Sequence, residues 1–294
     1  KRNSARKIRT PASDQLFEQA KDDAELIAAE SKSFHTTVAK MLYLTMRVRP
    51  DIATAVAYLT TRVKGPMESD KWKLNRVLCY LEDQPQQGIL LPQRGKIQLQ
   101  AYVDAGFACH SDGKSQTGLC IMLGNSLISA RSLKQKMVGK DSTEAELIAL
   151  SDKVTTVLWC QDFLKSQGYE DLPPPVLHQD NMSTVHLVTK GGGNPRTRHL
   201  KARQFMVKEL CDSKEIEVVF TRTSEMIADV LTKPLGGENF RLFVRSMTHD
   251  GAPLTNTSTA TTQGCVAHHD DAQTAKDAKH GTRTVRQRDA VAEE

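Results

Sequence analysis

Apolar residues change their spacing along this chain, and the change marks two kinds of structure. Within residues 33–92 they recur at helical intervals. "VAKMLYLTMRVRPDIATAVAYLTTRV" reads as amphipathic helix broken at Pro50, because proline lacks an amide donor and its predecessor avoids the helical region. "ESDKWKLNRVLCYLED" predicts one more helix. So few helices bury little apolar surface alone and call for a neighbour. They are nevertheless expected to form a small helical module packed separately from the residues after 92.

From Gly95 the period becomes that of strands. "KIQLQAYVDA" alternates like a half-buried strand, and "TGLCIMLGN" and "SLISARSLKQK" give two more, with a hairpin turn at "GN". A long helix over 143–167 comes next, with Leu147, Leu150, Val154, Val157, Leu158 and Leu164 on one face. After it stand a strand in "PPPVLHQD", a short helix in "NMSTVHLVTK" closed by the glycines from Gly191, and a helix in "HLKARQFMVKELCD". "EIEVVFTRT" is a fifth strand, and "MIADVLTKPLGGENFRLFVRSM" is helical with a break at Pro234. The predicted class is α/β, a mixed five-stranded sheet with flanking helices over residues 93–250. Residues 1–32 read as a partly disordered linker with a short helical piece. Residues 251–294 hold almost nothing large and apolar and are expected to be a disordered tail.

Composition narrows the function little. No apolar run approaches the length of a membrane span. Cys79, Cys109, Cys120, Cys160, Cys211 and Cys265 show no paired spacing, which fits reduced thiols in an intracellular protein and argues against structural zinc. The formal net charge of +5 is compatible with a nucleic-acid partner. The chain begins at Lys1, which reads as a fragment or a processed piece.

The acids carry the chemistry. Asp104 ends the first strand, Glu146 lies near the start of the long helix, Asp180 ends the fourth strand and Asp229 opens the last helix. Strand ends and helix starts are where α/β sheets collect functional groups. Four such acids cannot all be charged at close range without help. Hard divalent cations supply it, and two of them can activate water and stabilise a leaving phosphate-ester oxygen. Taken singly, Asp229 would suit a helix cap better than a metal site.

Residues 97–235 resemble the ribonuclease H domain of copia-type long-terminal-repeat retrotransposons. The stretches that carry the resemblance are "AYVDAGFA", "KSQTGLCIMLG", "SLKQK", "DSTEAELIALS", "LHQDNMSTVHL", "PRTRHLKARQFMVKE" and "ADVLTKPL". Residues 33–92 look like the helical region that links polymerase to ribonuclease H in those polyproteins. The resemblance implies a ribonuclease H-like fold and cleavage of the RNA strand of RNA–DNA hybrids. It implies two Mg²⁺ ions, with Mn²⁺ as a substitute, held by Asp104, Glu146, Asp180 and Asp229. Glu146 is the matching glutamate because the apolar run "LIAL" comes directly after it; Glu144 is a near miss. The implied partners are the hybrid and the upstream polymerase domain of the same polyprotein. The implied location is a cytoplasmic virus-like particle or the nucleus.

Three departures stand out. "AGFA" follows Asp104 where many copia elements have an aspartate and a tryptophan. No histidine precedes Asp229 in "TRTSEMIADV", and Lys201 stands where the family has an acid. The polymerase's paired aspartates are absent. A second reading therefore stays open: an inactive or domesticated remnant that binds nucleic acid without cutting it.

Basic residues cluster around Arg131, Lys134, Lys136 and Lys140, and again at Arg196, Arg198, His199, Lys201 and Arg203. A solvated charged face would look the same. With catalytic carboxylates nearby, Lys134, Lys136, Arg196, Arg198 and His199 become candidate phosphate contacts. Gln135, Ser142 and Asn181 become candidate readers of the RNA 2′-hydroxyl. His110 and His178 read as structural.

Overall fold

The structure, a computed structural model, describes residues 7–20, 22–91, 97–192 and 200–248. The expected tail and the Arg196, Arg198 and His199 cluster lie outside the described residues.

Helix α1 (Ala28–Arg47) stops before Pro50, a single 3-10 turn covers Pro50–Ile52, and α2 (Ala53–Thr60) and α3 (Glu68–Asp83) come after it. A buried polar knot holds the break. Asp51 accepts hydrogen bonds from Arg49 Nε at 3.0 Å and from the Tyr80 hydroxyl at 2.8 Å, and Arg49 Nη1 donates to the Gln84 carbonyl at 3.0 Å. Each charge taken out of water here has a charged or polar partner, which is the condition for burying it.

Strands β1 (Leu99–Gly106), β2 (Gln116–Leu123) and β3 (Ser126–Lys134) form an antiparallel meander. Helix α4 (Ser142–Ser166) carries the chain to β4 (Val176–Gln179), which pairs parallel to β1. Helices α5 (Met182–Thr189) and α6 (Lys201–Asp212) lead to β5 (Glu217–Phe220), parallel to β4. The sheet order is β3-β2-β1-β4-β5. This is the expected mixed five-stranded, ribonuclease H-like sheet.

The period of two along β1 divides the core. Leu99, Ala101, Val103 and Ala105 face one side, where Leu147, Ile148, Leu150, Val154 and Val157 of α4 cover them. Each fully buried side chain of that size contributes roughly 1.5–3 kcal/mol. Tyr102, Cys120, Met122 and Leu127 face the other side. There the structure departs from the expected separate helical module. Val38, Ile52, Val56, Leu59 and Val77 share one continuous core with that second sheet face and with Phe240, Phe243 and Met247 of α7 (Gly237–Thr248). The helices have too little apolar surface to close a core among themselves, and the second sheet face needs a cover. Thr54 Oγ1 ties the two parts directly, donating to the Val230 carbonyl at 2.6 Å.

Two further expectations fail. The linker of residues 1–32 is not loose where it is described. Ala12, Leu16 and Leu26 are buried, the Ile8 amide donates to Asp83 Oδ2 at 2.7 Å, and Phe17 stacks edge-on to Tyr58 and His110. Its apolar anchors are irregularly spaced, so they leave no periodic signal. The last helix does not begin before Asp229. Ile227–Leu231 forms a 3-10 turn, and helix resumes only at Gly237, after Pro234.

That turn lies against the sheet because two strand glycines admit it. A Cβ on Gly118 would stand 2.8 Å from the Ala228 carbonyl oxygen, and one on Gly106 would stand 2.9 Å from that of Thr232. Gly118→Ala should therefore push the 227–232 turn off the sheet, lowering stability by about 1–3 kcal/mol. Denaturant unfolding of the two proteins checks this; an unchanged midpoint would show that the turn has room to move.

Candidate active site

Asp104 sits near the end of β1 on the face that meets the turn, opposite Gly118, and is buried. The Thr232 hydroxyl donates to its Oδ2, and Lys233 Nζ stands 3.7 Å from the same atom. Asp180 comes directly after β4 and accepts from Thr223 Oγ1 at 2.9 Å. Glu146 is buried near the start of α4 and accepts from Gln179 Nε2 at 3.1 Å. One oxygen from each of Asp104, Glu146 and Asp180 can be chosen so that all lie within 4.8 Å of one another.

Local geometry selects between the two glutamates of "TEAE". Residues two apart on a helix point about 200° apart, so they cannot serve one site. Asp141 caps α4 by accepting from the Glu144 amide at 2.8 Å, and Glu144 Oε2 turns back to accept from the Lys140 amide at 2.9 Å. Glu146 is left facing the cluster.

Asp229 stands beside these three rather than among them. It rides on the 3-10 turn, is buried, and takes Lys233 Nζ at 2.6 Å.

The cluster is electrostatically strained. Burial, then the charges of Asp104 and Asp180, hold the Glu146 carboxyl well above the ordinary carboxylate range. Burial and then Asp104 raise Asp180. Burial and then Asp104 push Asp229 up to about 7, against the pull of Lys233. Burial works to lower the Lys233 ammonium, but Asp104 and Asp229 override it and raise its pKa. The chain thus supplies one cation of its own to a nest of acids.

The predicted nucleic-acid residues scatter. Lys136 and Ser142 are exposed, whereas Lys134 is ion-paired with Asp112 at 2.8 Å. Asn181 caps α5, accepting from the Thr184 amide at 3.0 Å. Gln135, expected to read a 2′-hydroxyl, is instead buried, with its amide donating to Thr117 Oγ1 and the Ala145 carbonyl at 3.0 and 2.9 Å. It ties the end of β3 to α4, and the register of the hairpin turns it inward. His110 bonds Gln116 Oε1 at 2.8 Å, and His178 stacks on Tyr102 at 4.2 Å; both hold structure together.

Sequence reasoning passed over Lys233, Thr232 and Gln179. The i,i+4 spacing of Asp229 and Lys233 was a readable charge pair. Gln179 shares the sheet face of Leu177, where a buried polar side chain signals a partner.

No protein-family model matches the chain. Among curated proteins, it is 33% identical over 212 residues to a retrovirus-related Pol polyprotein from transposon RE2 of Arabidopsis thaliana, covering 71% of this chain and 14% of that protein. It is 29% identical over 214 residues to the Pol polyprotein of transposon TNT 1-94 of Nicotiana tabacum, covering 71% of this chain and 16% of that one. The chain is thus homologous to a segment of copia-type retrotransposon Pol polyproteins. It spans about a seventh of the length of these Pol relatives. Among solved structures, an RNase H1 isolated from compost by a metagenomic approach aligns with 47% of this chain and 94% of its own, at 17% identity and a TM-score of 0.37. That likeness is weak, and the fold is read from the strand order and pairing themselves. Among the described residues, no helix is long and apolar enough to cross a membrane.

The raised carboxyls carry a pH signature. A carboxyl whose folded pKa is raised keeps its proton after the unfolded chain has lost it. Its contribution to folded stability is therefore lost as pH climbs from about 4 towards the folded value, about 7 for Asp229. Asp104→Asn removes the charge common to all three neighbours. In EDTA, the parent's unfolding midpoint minus that of Asp104→Asn should fall progressively over that range, and Mg²⁺ should restore the parent selectively. A flat difference would show that these carboxyls are not coupled.

Proposed function

We propose that this chain is the ribonuclease H portion of a copia-type Pol polyprotein, and that it hydrolyses the RNA strand of RNA–DNA hybrids with the help of divalent ions. The observation that carries the reading is the convergence of Asp104, Glu146 and Asp180 oxygens within 4.8 Å, on a chain of this family.

The donor set fits hard cations. It is all oxygen, it is acid-rich, and its strain is of the kind that positive charge relieves. Asp180 is half-buried, which leaves the cluster an approach from solvent. Asp104, Glu146 and Asp180 would hold the ions, with Asp229 completing the set once Lys233 yields its carboxylate. Mg²⁺ is the ion proposed, with Mn²⁺ as a substitute; two such ions, when bound, lower the pKa of the attacking water and neutralise charge on the leaving oxygen.

The chain's own residues do the positioning. Thr232 fixes the Asp104 carboxylate by its hydroxyl bond, and Gln179 fixes Glu146. Lys233 offsets part of the charge of Asp104 and Asp229 in the free protein, so an anionic phosphate meets less repulsion on approach. The exposed Lys136 and Ser142 flank the start of α4 and are proposed contacts for the hybrid backbone. Residues 93–250 would form the nuclease part, with 33–92 bridging to an upstream polymerase. The proposed setting is a cytoplasmic virus-like particle or the nucleus.

The test uses the whole chain, because the helices before residue 93 cover one sheet face. A labelled RNA–DNA hybrid should be cut in Mg²⁺ and left intact in EDTA. Asp104→Asn should slow cutting by on the order of a hundredfold or more, since the carboxylate acts through transition-state charge, while hybrid affinity holds or rises. Cleavage by Asp104→Asn at the parent rate would sink the catalytic assignment. A parent that binds hybrids but cuts none, in Mg²⁺ or Mn²⁺, would establish the binding-only remnant.

A further inference from the structure

A cavity of about 780 Å³ lies between the N-terminal arm, α3 and the start of α7. Four cations from these three segments line it: Lys7, Arg9, Arg76 and Arg241. Among the described residues no acid lines it. Arg76 is fixed, with Nη2 donating to Thr10 Oγ1 at 2.9 Å, but its buried Nε has no hydrogen-bond partner. Buried guanidinium donors are seldom left unmatched without a reason. On the remaining wall stand Gly236 and Gly237, where a Cβ would meet nothing within 4 Å. Helix α7 begins there, and the first amides of a helix lack intrahelical partners. Arg241 is ion-paired with Glu238, but both side chains are exposed, and such a pair yields readily to a stronger anion.

Position gives the cavity meaning. Gly236 lies three residues beyond Lys233 of the carboxylate cluster, a reach of at most about 11 Å of backbone. That is roughly three base steps of helical rise. A second cavity shares Arg9 and Arg241 and adds one more cation, Arg245, beside the neutral amides of Gln84 and Gln87.

We propose that this arm–α3–α7 cavity is a second backbone-phosphate subsite, taking a phosphodiester of the same nucleic acid whose scissile strand occupies the carboxylate cluster. The proposal rests on reading the chain as a hybrid-binding nuclease. Planar guanidinium forks suit phosphate, and three chain segments contribute charge to one point. The subsite ties recognition to the module before the sheet: neither Lys7 and Arg9 nor Arg76 belongs to the ribonuclease H-like part. It would be indifferent to base sequence.

The test is a salt titration of hybrid affinity in EDTA with the whole chain. The exposed pair Arg9→Ala/Arg241→Ala should flatten the slope of log affinity against log salt by about two units, equally for hybrids of different sequence. Circular dichroism checks folding, and Arg9→Ala alone, expected to remove about one unit, serves if the double variant misfolds. A fluorescent polyglutamate is titrated in parallel. If the variants keep the parent's hybrid slope, the subsite is wrong, and the nuclease reading stands if Mg²⁺-dependent cleavage is intact. If they lose polyglutamate binding while the hybrid slope is unchanged, the cavity serves an acidic peptide and the proposal falls. If the parent binds hybrids but does not cut them, the nuclease reading fails while the slope still decides the subsite. A parent that binds no hybrid at low salt overturns both.

Discussion

Repulsion among carboxylates held at the ends of the inner strands β1 and β4 is the constraint on which the rest of this structure turns. Three of them share a space of 4.8 Å, and a fourth stands alongside. Such a group survives only if the backbone around it is fixed by other forces and some positive charge is close. Core packing on both sheet faces supplies the first. Lys233 supplies the second in the free protein, on the same short turn that delivers Asp229.

The close docking of that turn depends on what is missing from the strands. Gly106 and Gly118 lack the side chains that would hold residues 228–232 away from β1 and β2. The turn can then present Thr232 to Asp104, and its apolar residues Ile227, Val230 and Leu231 join the core shared with the helices. The first helices and the turn that carries Asp229 thus belong to one packing problem, although the sequence separates them widely.

Much of this was legible. Period-two alternation located β1, two apolar runs parted by the "GN" turn located β2 and β3, and helical spacing located α3 and α4 almost to the residue. The positions of Asp104, Glu146 and Asp180 could be read from their places at strand ends and at a helix start. What could not be read was set by contacts distant in sequence. Leu16 and Leu26 carry no period, so the arm looked like a linker. Gln135 looked polar and free, yet its partners are 10 and 18 residues away on other elements. Asp229 looked like the opening of a helix, whereas docking against two glycines and the nearby Pro234 leave it on a tight turn.

The hydrogen bond from Thr54 to the Val230 carbonyl closes a loop of 176 residues. Its consequence lies in the order of synthesis. The helices emerge from the ribosome first and must wait, with one apolar side uncovered, for the sheet to be made. The sheet in turn lacks its lysine and the closing turn until residues 227–233 are added. Asp229 and the charge of Lys233 therefore join the other acids only when nearly all of this segment has been translated. An incomplete chain would hold a sheet whose acids lack their balancing lysine.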